Sequence, residues 1–262
     1  MDHLDHNRRA WNRQSAAGQR WSVPVGPDVI ARARHDEWQV ILTPDTPVPR
    51  TWFGALRGAR VLCLASAGGQ QAPVLAAAGA EVVSFDLSDE QLARDAEVAA
   101  RDGLVLRTVR GDMADLSVFA DASFDLIFHP VSNVFAPDLT PVWRECARVL
   151  RPGGALLAGF MNPSFFLFDH DEAQRTGELV VRYRLPYREL GDGADRLSAQ
   201  RRAQIDEGDP LEFSHSLQAQ IGGLLAAGFH LTGLYEDHWR GASTPLDAFM
   251  PTSIAIRAVR AR

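Results

Sequence analysis

Cysteine is scarce: Cys63 and Cys146 are the two in the chain, and neither stands in a Cys/His pattern suited to a metal. Both lie inside apolar runs, so they read as reduced, buried thiols, and a disulfide framework or a zinc site is not expected. An excess of positive charge is also lacking. Twenty-seven basic against 33 acidic residues leave a net charge of -6, which argues against bulk attraction to phosphate backbones or anionic lipid. Neither nucleic acid nor a membrane is therefore an expected partner. Long hydrophobic runs are missing as well. Leu224 to Ala227 and Ala155 to Met161 fall far short of the ~20 residues a spanning helix needs, and Met1 to Arg13 is polar, with no apolar signal region. A soluble, cytoplasmic protein is the expectation.

What is present is the composition of an ordinary globular chain: 262 residues, 46% hydrophobic, 23% charged. A chain of this length buries roughly 70 to 75% of its unfolded surface, which suits one generous α/β domain with an appendage. From Arg60 onward, short β-rich runs alternate with helical stretches, a rhythm that requires a parallel sheet because each crossover helix returns the chain to the same edge. Strands are expected at Arg60 to Ala65, Glu81 to Asp86, Val105 to Arg110, Phe124 to His129 and Ala155 to Phe160, with two more at Phe229 to Glu236 and Thr252 to Val259. Helices are expected at Gln71 to Ala78, Asp89 to Arg101, Pro141 to Leu150 and Ser216 to Ala227. Arg151-Pro152-Gly153-Gly154 reads as the turn that stops the third of these.

Two segments break the rhythm and set the expected division of the chain. Residues 1–58 read as an N-terminal helical cap and linker, with a short helix starting at Pro27 and a proline cluster from Pro44 to Pro49. The cofactor-binding core spans 59–161, and 211–262 completes it with a helix and two strands. The stretch 162–210 is far longer than an ordinary connection in such folds and reads as an inserted lid over the substrate. It carries Phe165, Phe166, Phe168, a strand-like run at Leu179 to Leu185 with Tyr183, and a charged helical run at Asp195 to Glu207.

In an open parallel sheet the ligand lies beyond the carboxyl ends of the strands. After the first strand, Ala65-Ser66-Ala67-Gly68-Gly69 is a small-residue turn that lets backbone approach a ligand and opens into a helix N-terminus. Asp86 ends the second strand, nineteen residues after Ala67, where a carboxylate can accept both hydroxyl protons of a ribose. Gly111-Asp112-Met113 follows the third. Asp112 can accept from the exocyclic amine of an adenine while Met113 and Leu87 press on the ring faces, and it can also cap a helix over Ala114 to Phe119.

This ordered set, with the strand Phe124-Asp125-Leu126-Ile127-Phe128 and Arg148-Val149-Leu150-Arg151-Pro152-Gly153-Gly154, resembles the S-adenosylmethionine-dependent methyltransferases with a seven-stranded Rossmann-like sheet. The nearest likeness is to the small-molecule branch that includes the ubiquinone and menaquinone biosynthesis enzymes. It spans about Arg60 to Phe160. The resemblance implies a doubly wound α/β sheet of order 3-2-1-4-5-7-6 with the last strand antiparallel, S-adenosyl-L-methionine as cofactor, and a small-molecule methyl acceptor. It also implies that His129-Pro130-Val131-Ser132-Asn133 faces the methyl group and the substrate. One departure from the family pattern is plain: where it has acid, apolar, Gly, any, Gly, any, Gly, this chain has Cys63, Leu64, Ala65, Ser66, Ala67, Gly68, Gly69, and keeps only the last glycine.

For an acceptor with a proton to lose, His129 and His215 are the candidate general bases, each with a competing structural role as a satisfied histidine. Asn133, Phe165, Phe168 and Tyr183 are the candidate acceptor contacts, and Trp11 and Trp21 are placed to cover the cofactor from the cap. No resident metal is expected. A nicotinamide-dependent oxidoreductase stands as the rival, since Ala67, Gly69 and Ala72 with Asp86 loosely imitate the dinucleotide fingerprint. A non-enzymatic binder of the same nucleoside is the third reading, and a homodimer is compatible with all three.

Overall fold

Seven strands pair into one sheet of order β3-β2-β1-β4-β5-β7-β6 in the computed structural model, which describes residues 2–240 and 244–262 with the Asp192 side chain excepted. The strands are β1 (Arg60–Leu64), β2 (Glu81–Asp86), β3 (Leu106–Arg110), β4 (Phe124–His129), β5 (Leu150–Met161), β6 (Phe229–Asp237) and β7 (Ser253–Arg260). Strands β1 to β5 run parallel, and β7 lies antiparallel to both β5 and β6. The helices are α1 (His3–Ala16), α2 (Pro27–Arg34), α3 (Gln71–Ala77), α4 (Asp89–Asp102), α5 (Thr140–Val149), α6 (His170–Thr176), α7 (Ala199–Glu207) and α8 (Gly223–Ala226). The expected order of the sheet and the antiparallel last strand are both present.

Local chemistry sets the ends of these elements. Ser88 caps α4 by accepting from the Gln91 amide at 3.1 Å, and Gly103 closes it in the left-handed region at φ 63°. Central strands β1 and β4 are buried on both faces, as a sheet covered on two sides demands. One apolar cluster, including Val61, Cys63 and Leu157, packs under α2 and α3; the other, including Leu62, Trp143 and Phe160, packs under α5 and α8. Both cysteines are free and fully buried, and burial pushes both thiols upward.

Several expected elements take a different form. Arg151-Pro152-Gly153-Gly154 is not a turn: β5 begins at Leu150, directly after α5, and this run is the bulged start of the strand, with Gly153 at φ 75° and the register slipping between Phe124 and Leu126. Arg148 anchors the loop after β3, donating to the carbonyls of Leu116 at 2.8 Å and Phe119 at 2.9 Å. The Leu179 to Leu185 run forms no strand and makes a single bridge, Phe168 to Val181. The charged run from Asp195 is α-helical only from Ala199, as α7, where Ser198 caps it by accepting from the Arg201 amide. The last helix contains a π turn at Gln218–Gly222 before α8.

Side-chain bonds tie the N-terminal residues to distant parts of the chain. Asn7 is 1% exposed and clasps Leu211, its Nδ2 donating to the Leu211 carbonyl at 3.1 Å and its Oδ1 accepting from the Leu211 amide at 2.7 Å. His6 is buried too, with Nε2 2.8 Å from the Asp209 carbonyl. The proline-rich linker is held by Asp237 at the end of β6, which accepts from Thr43 Oγ1 at 2.8 Å and from the Thr46 amide at 2.8 Å. Linker backbone then crosses β5 at Gly159, where a Cβ would meet the Leu42 carbonyl at 2.2 Å.

Candidate active site

At the carboxyl ends of β1, β2, β3 and β4 the sheet opens into a cavity of about 350 Å³, roofed by α1, the linker and the segment after β5. Ala65, Ser66, Ala67, Asp86, Leu87, Gly111, Asp112 and Met113 line one part of it, so three successive strand tips converge as expected. The other part is apolar and is walled by Trp11, Val134, Phe135, Met161, Phe165 and Phe166.

Asp86 is the pivot of the first part. Its Oδ2 accepts from the Ala67 amide at 3.2 Å and its Oδ1 from the Ser88 amide at 2.9 Å, so one carboxylate joins the loop after β1 to the start of α4. Burial pushes its pKa up to about 6. Asp112 accepts from the Ala114 amide at 3.0 Å and still lines the cavity. The residues after it form turns rather than a helix.

The loop after β1 is built differently from the sequence expectation. Gly68 and Gly69 do not line the cavity. They face the N-terminal segment, where a Cβ on Gly68 would lie 2.1 Å from the Trp21 carbonyl and one on Gly69 would lie 2.8 Å from Pro24. Their φ values of 134° and 79° also suit glycine alone. Ala65, at the first glycine position of the family pattern, takes φ 48° with a Cβ present. Trp21 and Trp11 both reach the cavity, and Trp239 joins them.

An acid beneath this loop comes from an unexpected place. Asp95, fully buried on α4, accepts from the Gly69 amide at 2.7 Å and from Ser84 Oγ at 2.6 Å. Burial drives its pKa up to about 7. The position that holds an acid in the family pattern is Cys63 here, and Asp95 supplies a carboxylate to the same loop from the neighbouring helix. Its signal was in the sequence: Asp95 follows Leu92 and precedes Val98 at helical spacing, an acid on a core-facing stripe.

Both candidate bases lie away from the cavity lining. His129 is fully buried at the tip of β4, with Nδ1 3.0 Å from the Leu64 carbonyl and Nε2 2.8 Å from the Asn133 amide. Burial lowers its pKa and keeps the ring neutral. The atom facing Nε2 is Asn133 Oδ1; a neutral ring that donates from Nδ1 to Leu64 accepts at Nε2, and the opposite amide orientation would present Nδ2 there and give that buried nitrogen a partner. His129 thus ties β4 to β1, and Asn133 serves His129 instead of an acceptor. His215 donates from Nε2 toward the carbonyls of Ala136 at 2.8 Å and Asn133 at 3.1 Å and lies beside a separate groove. Phe168 pairs with the Val181 backbone, and Tyr183 donates to Asp169 at 2.9 Å. Of the four candidate acceptor contacts, Phe165 alone lines the cavity.

A methyltransferase-domain family model matches residues 62–158. The chain is 46% identical over 255 residues to the uncharacterized methyltransferase YbaJ of Bacillus subtilis, covering 97% of each chain. The chain belongs to the S-adenosylmethionine-dependent methyltransferases. A methyltransferase of this kind from Mesorhizobium loti shares the fold, with a TM-score of 0.59 at 19% identity over 80% of this chain and 95% of that one. Over 153 residues the chain is also 30% identical to a ubiquinone biosynthesis O-methyltransferase of Xanthomonas oryzae, covering 57% of this chain and 64% of that enzyme.

The methyltransferase cofactor is S-adenosyl-L-methionine, and the cavity suits it. Two carboxylates at adjacent strand tips match the hydroxyl and amine donors of an adenosine, and the loop beside them exposes backbone to the cavity through Ala65 to Ala67. Among the described residues no group of His, Cys, Asp or Glu is arranged to hold a metal ion, and no helix is long and apolar enough to cross a membrane. Nothing in these comparisons supports a nicotinamide-dependent enzyme.

Proposed function

We propose that this methyltransferase acts on a small apolar acceptor held under α1 and the segment after β5. In this reading Asp86 binds the ribose, Asp112 accepts from the adenine amine, Met113 and Leu87 sandwich the ring, and Ala65 to Ala67 lie along the methionine portion. When bound, the cofactor supplies a methyl group already activated by a positive sulfur. The protein's own task is then to place a nucleophile in line and exclude water, which orientation alone can reward with several kcal/mol. Trp11, Phe135, Phe165 and Phe166 supply the apolar enclosure. The cap of residues 1–58 and the insert of 162–210 act together as the acceptor's cover, and the free, buried thiols suit a cytoplasmic enzyme. Relatedness to a ubiquinone biosynthesis enzyme supports an acceptor of small-molecule size.

The observation that carries this reading is Asp86, placed at the β2 tip with one oxygen on the cofactor loop. Calorimetric titration with S-adenosylhomocysteine tests it. Asp86→Asn removes a charged acceptor worth about 1.5 to 3 kcal/mol, so affinity falls roughly ten- to hundred-fold. Because ribose hydroxyls favour the ionised carboxylate and burial places its pKa at about 6, native binding weakens as pH drops from 7.5 to 5, and the variant loses that dependence. Equal affinity of the two proteins would remove the assignment.

A further inference from the structure

Three acidic residues and no Lys, Arg or His line the cavity among the described residues. Asp86 and Asp112 stand at the nucleoside end. The third, Glu212, belongs to neither strand tip and is claimed by nothing in the reading above. It shares the apolar part of the cavity with Trp11, Val134 and Phe166, and its carboxylate accepts no hydrogen bond from a described residue.

Three residues, Asn7, Glu189 and Val134, pin the backbone around Glu212. Asn7 clasps Leu211, the Glu212 amide donates to Glu189 at 2.7 Å, its carbonyl accepts from the Glu189 amide at 3.2 Å, and the Phe213 amide donates to the Val134 carbonyl at 2.7 Å. Leu211 and Phe213 are 1% and 2% exposed and plunge into the cluster beneath the insert. In an extended segment the residue between them turns the other way, which sends Glu212 to the cavity. The charged groups around it are already matched. Arg201 binds Glu189 through Nε and Nη2, at 2.7 and 2.9 Å, and reaches Asp209 through Nη1 at 3.2 Å, while Tyr187 donates to Glu189 at 2.5 Å. Glu212 is left as the carboxylate with no hydrogen-bonded counterpart, and the charge of Arg201, held by Glu189, reaches it through space. Burial first, then the nearby charges of Glu189 and Asp209, raise its pKa against the opposing pull of Arg201, and so make it a better proton acceptor than an ordinary glutamate.

We propose that Glu212 receives the proton of the methyl acceptor, and that the acceptor is an apolar, neutral or cationic molecule whose nucleophile is an N–H or O–H group. This rests on the methyltransferase reading of the same cavity. The acceptor's nitrogen or oxygen forms the new bond to the methyl carbon as the carbon–sulfur bond breaks, leaving its electron pair on sulfur. The hydrogen of that nitrogen or oxygen passes as a proton to Glu212. An anionic acceptor is disfavoured, since no cationic side chain faces it and three carboxylates do.

The test is calorimetric binding of three probes to the protein saturated with S-adenosylhomocysteine: phenethylamine, 4-ethylphenol and 3-phenylpropionate. The amine or the phenol should bind at least tenfold more tightly than the carboxylate. Glu212→Gln, which keeps the size of the side chain, should cut that preference at least fivefold, and Glu212→Asp should keep part of it. S-adenosylhomocysteine affinity measured on each variant reports that the fold is intact. Tighter binding of the amine points to nitrogen, and of the phenol to oxygen, as the methylated atom; either supports the proposal. Preferential binding of the propionate, failure of both donors to bind at millimolar concentration, or an unchanged preference in Glu212→Gln overturns it. If the native protein fails to bind S-adenosylhomocysteine, the cofactor reading itself falls.

Discussion

Single side chains in this protein take on work that the family pattern assigns elsewhere. Ala65 occupies the left-handed region at φ 48°, where a Cβ costs roughly 1 to 2 kcal/mol. Ala65→Gly removes that strain and gives back part of it to unfolded-chain entropy, for a net gain of roughly 0.5 to 1 kcal/mol in denaturant unfolding. A loss of stability would mean that the alanine methyl contributes packing that outweighs the backbone cost. Asp95 offers a pH signature. Its pKa is raised to about 7, so its contribution to stability is whole below the ~3.9 of an unfolded aspartate and is lost as pH rises through 7. Asp95→Asn can keep the bond from Gly69 and turn its amide toward Ser84. Native stability relative to this variant should therefore fall by up to about 1.4 kcal/mol per pH unit between about pH 4 and pH 7 and level off above 7, measured as denaturant midpoints at pH 5, 6.5 and 8. Parallel midpoints for the two proteins would show that Asp95 stays ionised throughout.

Among the elements, α1 shows most clearly how a polar segment becomes structural. Its sequence has no strong apolar stripe, and it is held by side-chain bonds: Asn7 to Leu211, Arg94 to the Ser15 carbonyl, and Ser88 Oγ to Asn12 at 2.6 Å. Asn7→Ala leaves the buried amide and carbonyl of Leu211 unpaired, at about 1 to 3 kcal/mol for each group. Thermal unfolding should register a loss of at least about 2 kcal/mol, with faster hydrogen exchange at residues 209–213. Strands and capped helices from Arg60 to Phe160 were legible in advance because hydrophobic periodicity, Ser88 and Gly103 are local signals. The start of β5 was not. Pro152 and Gly153 argue for a turn by propensity, and the pairing of Leu150 with Phe124 overrides it. The insert's Leu179 to Leu185 run also looked like a strand, yet there is little neighbouring backbone for it to pair with.

For the whole molecule, the cavity lies between parts of the chain that are distant in sequence, so a ligand in it touches α1, the strand tips and residue 212 together. S-adenosylhomocysteine at a hundred times its dissociation constant should add about 2.7 kcal/mol by binding the folded state. At roughly 2 to 4 °C per kcal/mol for a chain of this size, the melting midpoint should rise about 5 to 10 °C. Absence of a shift at saturating ligand would contradict the placement of the nucleoside across this interface.

The strand order, the three acid-bearing or small-residue strand tips and the family itself were determined by the sequence, because parallel crossovers, turn chemistry and spacing act over short stretches of chain. Tertiary structure decided which side chains share the cavity. It turned Gly68 and Gly69 toward the N-terminal segment, enclosed His129 between Leu64 and Asn133, set Asp95 beneath the loop after β1, and brought Glu212 to a position no linear spacing encodes. The physical reason is that a side chain's chemistry depends on what replaces its water. That is settled by contacts such as Asn7 with Leu211, made across 204 residues of chain.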